Sequence, residues 1–458
     1  MENKTVPAVI CAAAAALIIA AIVVFAVLRK KRHGGSGYTD DLTGLGNLKA
    51  MNYCFYKQIN LYLRHYCLIY IAYDAELLSK KHGEEKNEEL QKFTAKVINE
   101  ALSDYDYAAR IDDGAFVICS RSPDIKTAEQ KTAELVDMLN RYVYQLVGDH
   151  IASFAAGMYA LGTDGESCET ALWNAKLGYS HACETKINLC ICTDTLLRAE
   201  SSRKRMRTKL MRAIDNKEFE PFIQFVYDPN KKKFVGGEVL SRWNDPVDGF
   251  VMPGHYINDM RNTGVITRFD YYMLDRTCRI LEKWKKEGKG DLRLSCNMTR
   301  ISISDPEYIS NLRSIVKKYD FDYDRLILEI TEDALVDTTA VAYSNIVDCK
   351  TAGFCIAIDD FGAGHSSFSD ICDYPADIIK VDRYIITKST TERGGALIKG
   401  LVKLAHDLGM EVLCEGVETE EQDASVTAYG CDYVQGYFHS YVFPLAEAEE
   451  YYAESLSK

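Results

Sequence analysis

The second half of the chain alternates short apolar runs with longer amphipathic stretches, and the apolar runs end in polar or charged side chains. The runs LRLSCN, LILEI, CIAIDD, IIK, EVLCE and YVQ place Asn297, Glu329, Asp359 with Asp360, Lys380, Glu415 and Gln435 at or next to their ends. Packing gives a buried strand no reason to stop on carboxylates so often, because an unpaired buried charge is costly. From Glu218 onward the strand-like runs are 222–226, 235–240, 292–297, 326–330, 355–358, 378–381, 412–414 and 433–435. Helical periodicity occupies most of the intervals, as at 266–287, 309–319, 341–351, 396–408 and 420–429. This alternation predicts an α/β chain ending in a (β/α)8 TIM-like barrel, whose active groups gather where strands end.

Upstream, 67–73, 115–120 and 151–160 read as strands, with amphipathic helices over 84–102, 127–146 and 168–182. That pattern predicts an α/β sandwich of modest size. The expected domains are an anchor and flexible linker at 1–37, the sandwich at 38–192, an interdomain helix at 193–216 and the barrel at 217–458. The helix at 193–216 is rich in Arg and Lys and reads as a solvated face.

Residues 6–28 are an uncharged apolar stretch, enough to cross about 30 Å of hydrocarbon as a helix. Arg29-Lys30-Lys31-Arg32 follows directly. The expectation is a single-pass span in the inner, cytoplasmic membrane, with both domains on the cytoplasmic side of the basic cluster. The 15 cysteines are scattered and mostly set in apolar runs, which fits buried small hydrophobes in a reducing compartment. A net charge of -13 argues against a nucleic-acid polymer as partner, since that requires a basic face. A small anion remains compatible if metal ions supply the positive charge.

Glu238, Asn297, Glu329, Asp359 and Asp360 offer only oxygen, the donor set of a hard cation such as Mg2+ or Mn2+. Adjacent aspartates repel unless a cation lies between them. Two such ions bridged by one carboxylate, with Asp359 the best bridging candidate, would suit attack of water on a phosphodiester. Lys380, expensive to bury unless it meets anions, would orient the water or stabilise the transition state.

Glu238-Val239-Leu240-Ser241-Arg242, Asn297, Leu328-Glu329-Ile330-Thr331-Glu332, Asp359-Asp360-Phe361-Gly362-Ala363-Gly364, Lys380-Val381-Asp382, Glu415-Gly416-Val417-Glu418-Thr419 and Gln435-Gly436-Tyr437 resemble the motif series of EAL-domain cyclic-di-GMP phosphodiesterases. The resemblance implies hydrolysis of cyclic di-GMP to linear pGpG with two divalent cations per barrel. It implies Glu238, Asn297, Glu329 and Asp359 at one metal, and Asp359, Asp360 and Glu415 around the second. By the same resemblance Lys380 and Glu415 act on water, Arg242, Gln224 and Gln435 serve the substrate, and Glu332 braces the loop after Asp360. Phe225, Arg261 and Val442 depart from the family pattern without removing a ligand. The alternative is a barrel that captures cyclic di-GMP without cleaving it.

Asp40-Asp41-Leu42-Thr43-Gly44-Leu45-Gly46-Asn47 resembles the opening motif of GGDEF diguanylate cyclases, and the likeness extends through the sandwich. The signature turn falls on Asp112-Asp113-Gly114-Ala115-Phe116, where two aspartates replace glycines and the acidic pair is lost. The resemblance therefore implies a degenerate, cyclase-inactive domain kept for regulation or pairing, and a homodimer.

Overall fold

A computed structural model describes residues 37–59, 65–122, 124–162, 166–332, 339–362 and 374–456. The chain divides into two compact units, Met1–Ser201 and Ser202–Lys458. The helix Asp194–Asp215 runs across that boundary.

The first unit is built on a five-stranded sheet, with β1 (Tyr66–Ala72), β2 (Tyr107–Asp112), β3 (Ala115–Arg121), β4 (Ala155–Ala160) and β5 (Leu189–Ile191) in the order β2-β3-β1-β4-β5. Every residue of β1 is buried, as befits a central strand covered on both faces. The helix Cys168–Thr185 lies against β4, and a Cβ on Gly157 would sit 2.0 Å from the carbonyl of Ala175. β2 and β5 fall outside the runs expected from sequence; they are edge strands, with only partial burial to mark them.

The second unit wraps eight strands into a barrel. These are β6 (Phe219–Asp228), β7 (Lys233–Asp245), β9 (Arg293–Asn297), β10 (Leu326–Thr331), β11 (Cys355–Phe361), β12 (Ile378–Val381), β13 (Glu411–Cys414) and β14 (Tyr433–Val434). Short strands β8 (Gly249–Val251) and β15 (Val442–Pro444) add to β7 and β6 at the rim.

This corrects the expected (β/α)8 barrel, because β6 is antiparallel to both β7 and β14. The cause lies in the β6–β7 turn, where the Asp228 side chain accepts from the backbone of Asn230 (3.0 Å) and Lys231 (2.8 Å), and Lys232 has φ +53°. A turn that short makes a hairpin, whereas a parallel pair needs a crossover of a dozen or more residues. From β7 through β14 the barrel pairs are parallel, so their C-terminal ends share one mouth.

The expected membrane span and the inner-membrane location drawn from it are likewise not supported. No helix among the described residues is long and apolar enough to cross a membrane, and residues 6–28 lie outside the described residues.

Candidate active site

Strand register brings the acids together. Glu238 lies midway along β7 with Gln224 of β6 opposite it, while Asn297 and Glu329 are ladder partners on β9 and β10. Alternation along a strand would send Asp359 and Asp360 to opposite faces of the sheet. Instead, the β11–β12 register breaks between Ile358 and Phe361, and Asp360 takes the left-handed conformation at φ +55°. This bulge re-aims Asp360, so that both aspartates line one cavity of about 300 Å³ with Glu238, Lys380 and Glu415.

Lys380 is the centre of the cluster, with its side chain 2% exposed. Its Nζ lies 2.7 Å from Glu415, 2.8 Å from Asp359, 2.9 Å from Glu329 and 3.3 Å from Glu238. Asn297 donates to Glu238 at 2.9 Å, and Gln435 donates to Glu238 at 3.0 Å and to Gln224 at 3.3 Å. Glu332 accepts from the Gly362 backbone at 2.9 Å and so holds the turn after Asp360. Gly362 has φ +91°, and a Cβ there would meet Ile385 at 2.3 Å, which excludes other residues from this turn.

The charges do not balance: five carboxylates, counting Asp360, face one ammonium. Burial, reinforced by neighbouring acids, pushes Glu329 well above the ordinary carboxylate range and Glu415 up to about 8. Burial and the adjacent Asp359 push Asp360 up to about 6. Burial works against ionisation of Glu238 as well, yet Lys380 and the hydrogen bonds from Gln435 and Asn297 hold its carboxyl below the ordinary range. Burial disfavours the Lys380 ammonium, but the surrounding acids outweigh it and raise its pKa well above the ordinary value. Excess carboxylates thus hold protons that a divalent cation would displace. Glu329 Oε2 is buried and has no hydrogen-bond partner among the described residues, an acceptor suited to a cation. Ligand oxygens of Asp359, Asp360 and Glu415 also lie within 4.8 Å of one another. The residues present therefore fit a divalent metal.

Not every expected site residue joins this ring. Arg242 donates to the carbonyl of Ser241 at 2.8 Å and lies over the Phe222 ring at 5.5 Å, outside the residues lining the mouth. Arg383, which was not expected, does line it and pairs with Glu418 at 3.0 Å. Its signal was its position just past Lys380-Val381-Asp382, where Asp382 caps the helix Arg383–Ile386. Residues 363–373, which include the rest of the glycine loop and His365, lie outside the described residues.

Asp270 supports β9 from behind. On the helix Ile266–Lys286, its Oδ2 accepts from Thr299 N (2.9 Å), Thr299 Oγ1 (2.6 Å) and Ser302 Oγ (2.6 Å), anchoring the segment after Asn297. Burial pushes this carboxyl up to about 6 from the ordinary 3.8, a difference of about 3 kcal/mol. Because the folded state binds this proton more tightly, the contribution is full below pH 3.8 and is lost as pH rises towards about 6. Urea midpoints should therefore fall between pH 4 and 6.5, and the fall should be smaller in Asp270→Asn. An equal fall in the variant would assign the effect to other groups.

In the first unit, the β2–β3 turn carries Asp112, Asp113 and Gly114, with Ala115 and Phe116 buried in β3. Asp113 accepts from Gln91 at 2.6 Å and from Asn87 at 3.3 Å. Arg110 reaches Asp113 at 3.4 Å and Asp40 at 3.0 Å. Tyr73 donates to Asn87 at 2.5 Å. The turn is thus tied down by the unit's own side chains.

The fold and site define a barrel with one antiparallel strand and an acidic mouth closed around a lysine, and sequence comparison makes the class specific. The EAL domain matches residues 207–441, just over half the chain, and the chain belongs to the EAL domain family. It is 27% identical over 419 residues to the cyclic di-GMP phosphodiesterase NbdA of Pseudomonas aeruginosa, covering 90% of this chain and 53% of that protein. It is 30% identical over 236 residues to the cyclic di-GMP phosphodiesterase RocR of the same organism, covering 51% of this chain and 60% of that protein. Among solved structures, the PaMucR phosphodiesterase in complex with c-di-GMP aligns with a TM-score of 0.51 at 26% identity, over 53% of this chain and 99% of that one. The chain spans about half the length of the curated relatives it matches.

Proposed function

We propose that the barrel hydrolyses cyclic di-GMP to linear pGpG with the help of divalent cations. The observation that carries this reading is the convergence of five acids on Lys380, with Glu329 Oε2 unpartnered among the described residues. Family membership and the cyclic di-GMP activity named for NbdA and RocR support it.

Glu238, Asn297, Glu329 and Asp359 would hold one Mg2+ or Mn2+, and Asp359, Asp360 and Glu415 the other. The bound ions would supply a Lewis acid for the phosphodiester and acidify the attacking water. Glu415, once a bound cation had displaced its own proton, would accept the proton of an attacking water as the water oxygen bonds to phosphorus. Lys380, hydrogen-bond close to Glu415 and Asp359, holds both acids in place and offsets negative charge developing on the phosphoryl oxygens. The P–O bond to one ribose would break, and the leaving oxygen would take a proton from solvent to become the free hydroxyl of pGpG, Glu415 returning its proton to solvent afterwards. Gln435 and Gln224, linked to each other and to Glu238, orient the substrate side of the ring. Arg383 supplies a cation at the mouth for a substrate phosphate, a place Arg242 does not occupy in this conformation.

For the first unit we infer a cyclase-inactive, GGDEF-like role in regulation or pairing of two chains. Its tied turn, with Asp113 held by Gln91, Asn87 and Arg110, supports that reading.

Incubating the full chain with cyclic di-GMP and Mg2+ or Mn2+ should yield pGpG, resolved by chromatography. Folded, metal-loaded protein that releases no product overturns the proposal, and tight calorimetric binding without product would instead make the barrel a silent receptor.

A further inference from the structure

Cys414 and Cys431 bring their sulfurs to 2.8 Å of each other in the wall of the barrel. That is well inside the roughly 3.5–4.0 Å that non-bonded heavy atoms prefer, and only about 0.8 Å longer than an S–S bond. Both thiols are free, and the two residues are buried, at 0% and 1% exposure. Burial as a small hydrophobe accounts for a cysteine in a core, but not for two sulfurs pressed this close.

Backbone hydrogen bonds, rather than a chance pair of rotamers, set the approach. Cys414 ends β13, where its carbonyl accepts from Gln435 N at 2.9 Å. Cys431 follows the helix Glu420–Ala428 through Gly430, at φ +89°, and its N–H donates to the Val426 carbonyl at 3.2 Å. The next residue, Asp432, is tied to β13 twice: its N–H donates to the Val412 carbonyl at 3.0 Å, and its carboxylate accepts from Val412 N at 2.8 Å. The segment carrying Cys431 is thus fastened to the strand carrying Cys414. Glu415, the residue after Cys414, lies 2.7 Å from Lys380 in the mouth.

We propose that Cys414 and Cys431 form a redox modification site, in which hydrogen peroxide joins the two sulfurs as a disulfide and so displaces Glu415. One thiol attacks a peroxide oxygen, giving a sulfenic acid and water. The second sulfur then displaces the hydroxyl of the sulfenic acid, which leaves as water with the second thiol's proton. Two thiols lose two electrons, and one hydrogen peroxide is reduced to two waters. Contact between the sulfurs makes the second step intramolecular, ahead of any outside thiol. Closing the gap draws the end of β13 towards Cys431, and a shift of about 1 Å in a reacting group is enough to slow chemistry. That coupling rests on the hydrolysis proposed above, whereas the disulfide does not.

Peptide mapping of the full chain under non-reducing conditions tests the site, after exposure to hydrogen peroxide long enough to oxidise the exposed Cys183. A peptide pair linked through Cys414 and Cys431 should appear, two hydrogens lighter than its parts, and dithiothreitol should release it. Turnover of cyclic di-GMP should fall at least about 10-fold as the link forms and return on reduction. Cys431→Ala, and the closer match in size Cys431→Ser, should turn over like the parent when reduced and keep that turnover under peroxide. Oxidised Cys183 without the Cys414–Cys431 link overturns the site. A link that leaves turnover unaltered, or an equal loss of turnover in both Cys431 variants, overturns the coupling to Glu415. A link in a chain that shows no turnover even when reduced counts against the hydrolysis reading and leaves the modification site standing.

Discussion

In Lys380→Met the barrel's thermal transition should fall by about 10 °C in metal-free buffer and recover most of that loss when Mg2+ or Mn2+ is added. Lys380 is the ammonium at which Glu238, Glu329, Asp359 and Glu415 meet. Methionine keeps much of the side-chain bulk while removing the charge. Taking one partner from a buried ion cluster costs about 3–5 kcal/mol, because the remaining carboxylates are left facing each other. For a unit of this size each kcal/mol shifts the transition by about 2–4 °C. Part of the cost is blunted because Glu329 and Glu415 already favour their protonated forms. A divalent cation would replace the lost charge, so scanning calorimetry with and without metal reads the cluster directly. A variant as stable as the parent without metal, or one indifferent to metal, would show that the ring does not depend on a central cation.

Glu329→Gln should behave in the opposite way: turnover of cyclic di-GMP falls by at least about 10³-fold, about 4 kcal/mol of transition-state stabilisation, while stability in metal-free buffer holds or rises. Glu329 is fully enclosed, and burial together with Glu238 disfavours its ionised form. Glutamine preserves the shape and still offers Lys380 an oxygen, so folding loses little. What it removes is the second carboxylate oxygen, Oε2, which has no hydrogen-bond partner among the described residues. Turnover within tenfold of the parent in the glutamine variant would remove Glu329 from the metal-holding set. Measuring stability and turnover together distinguishes this outcome from simple misfolding.

Lys380 and Glu329 are also the residues most legible in the sequence. Both stand near the ends of apolar runs, and the cost of burying charge is enough to single them out there. Asp360 is different. A strict two-residue period assigns it to the face opposite Asp359, and only the register break and left-handed backbone at Asp360 turn it into the mouth. Arg383 and Arg242 exchange places for a related reason. Arg383 reaches the mouth from the short helix after β12, whereas Arg242 on β7 stays over the Phe222 ring of β6.

By itself, the sequence determined the apolar strands, the helices between them and the set of oxygen donors, because burial periodicity and the cost of buried charge are local properties of the chain. The antiparallel β6 and the gathering of five acids around Lys380 were decided only by tertiary structure. Each depends on pairings between segments distant in sequence, such as Lys380 with Glu238 across 142 positions. No local pattern encodes the register in which such segments meet; closure of the barrel sets it.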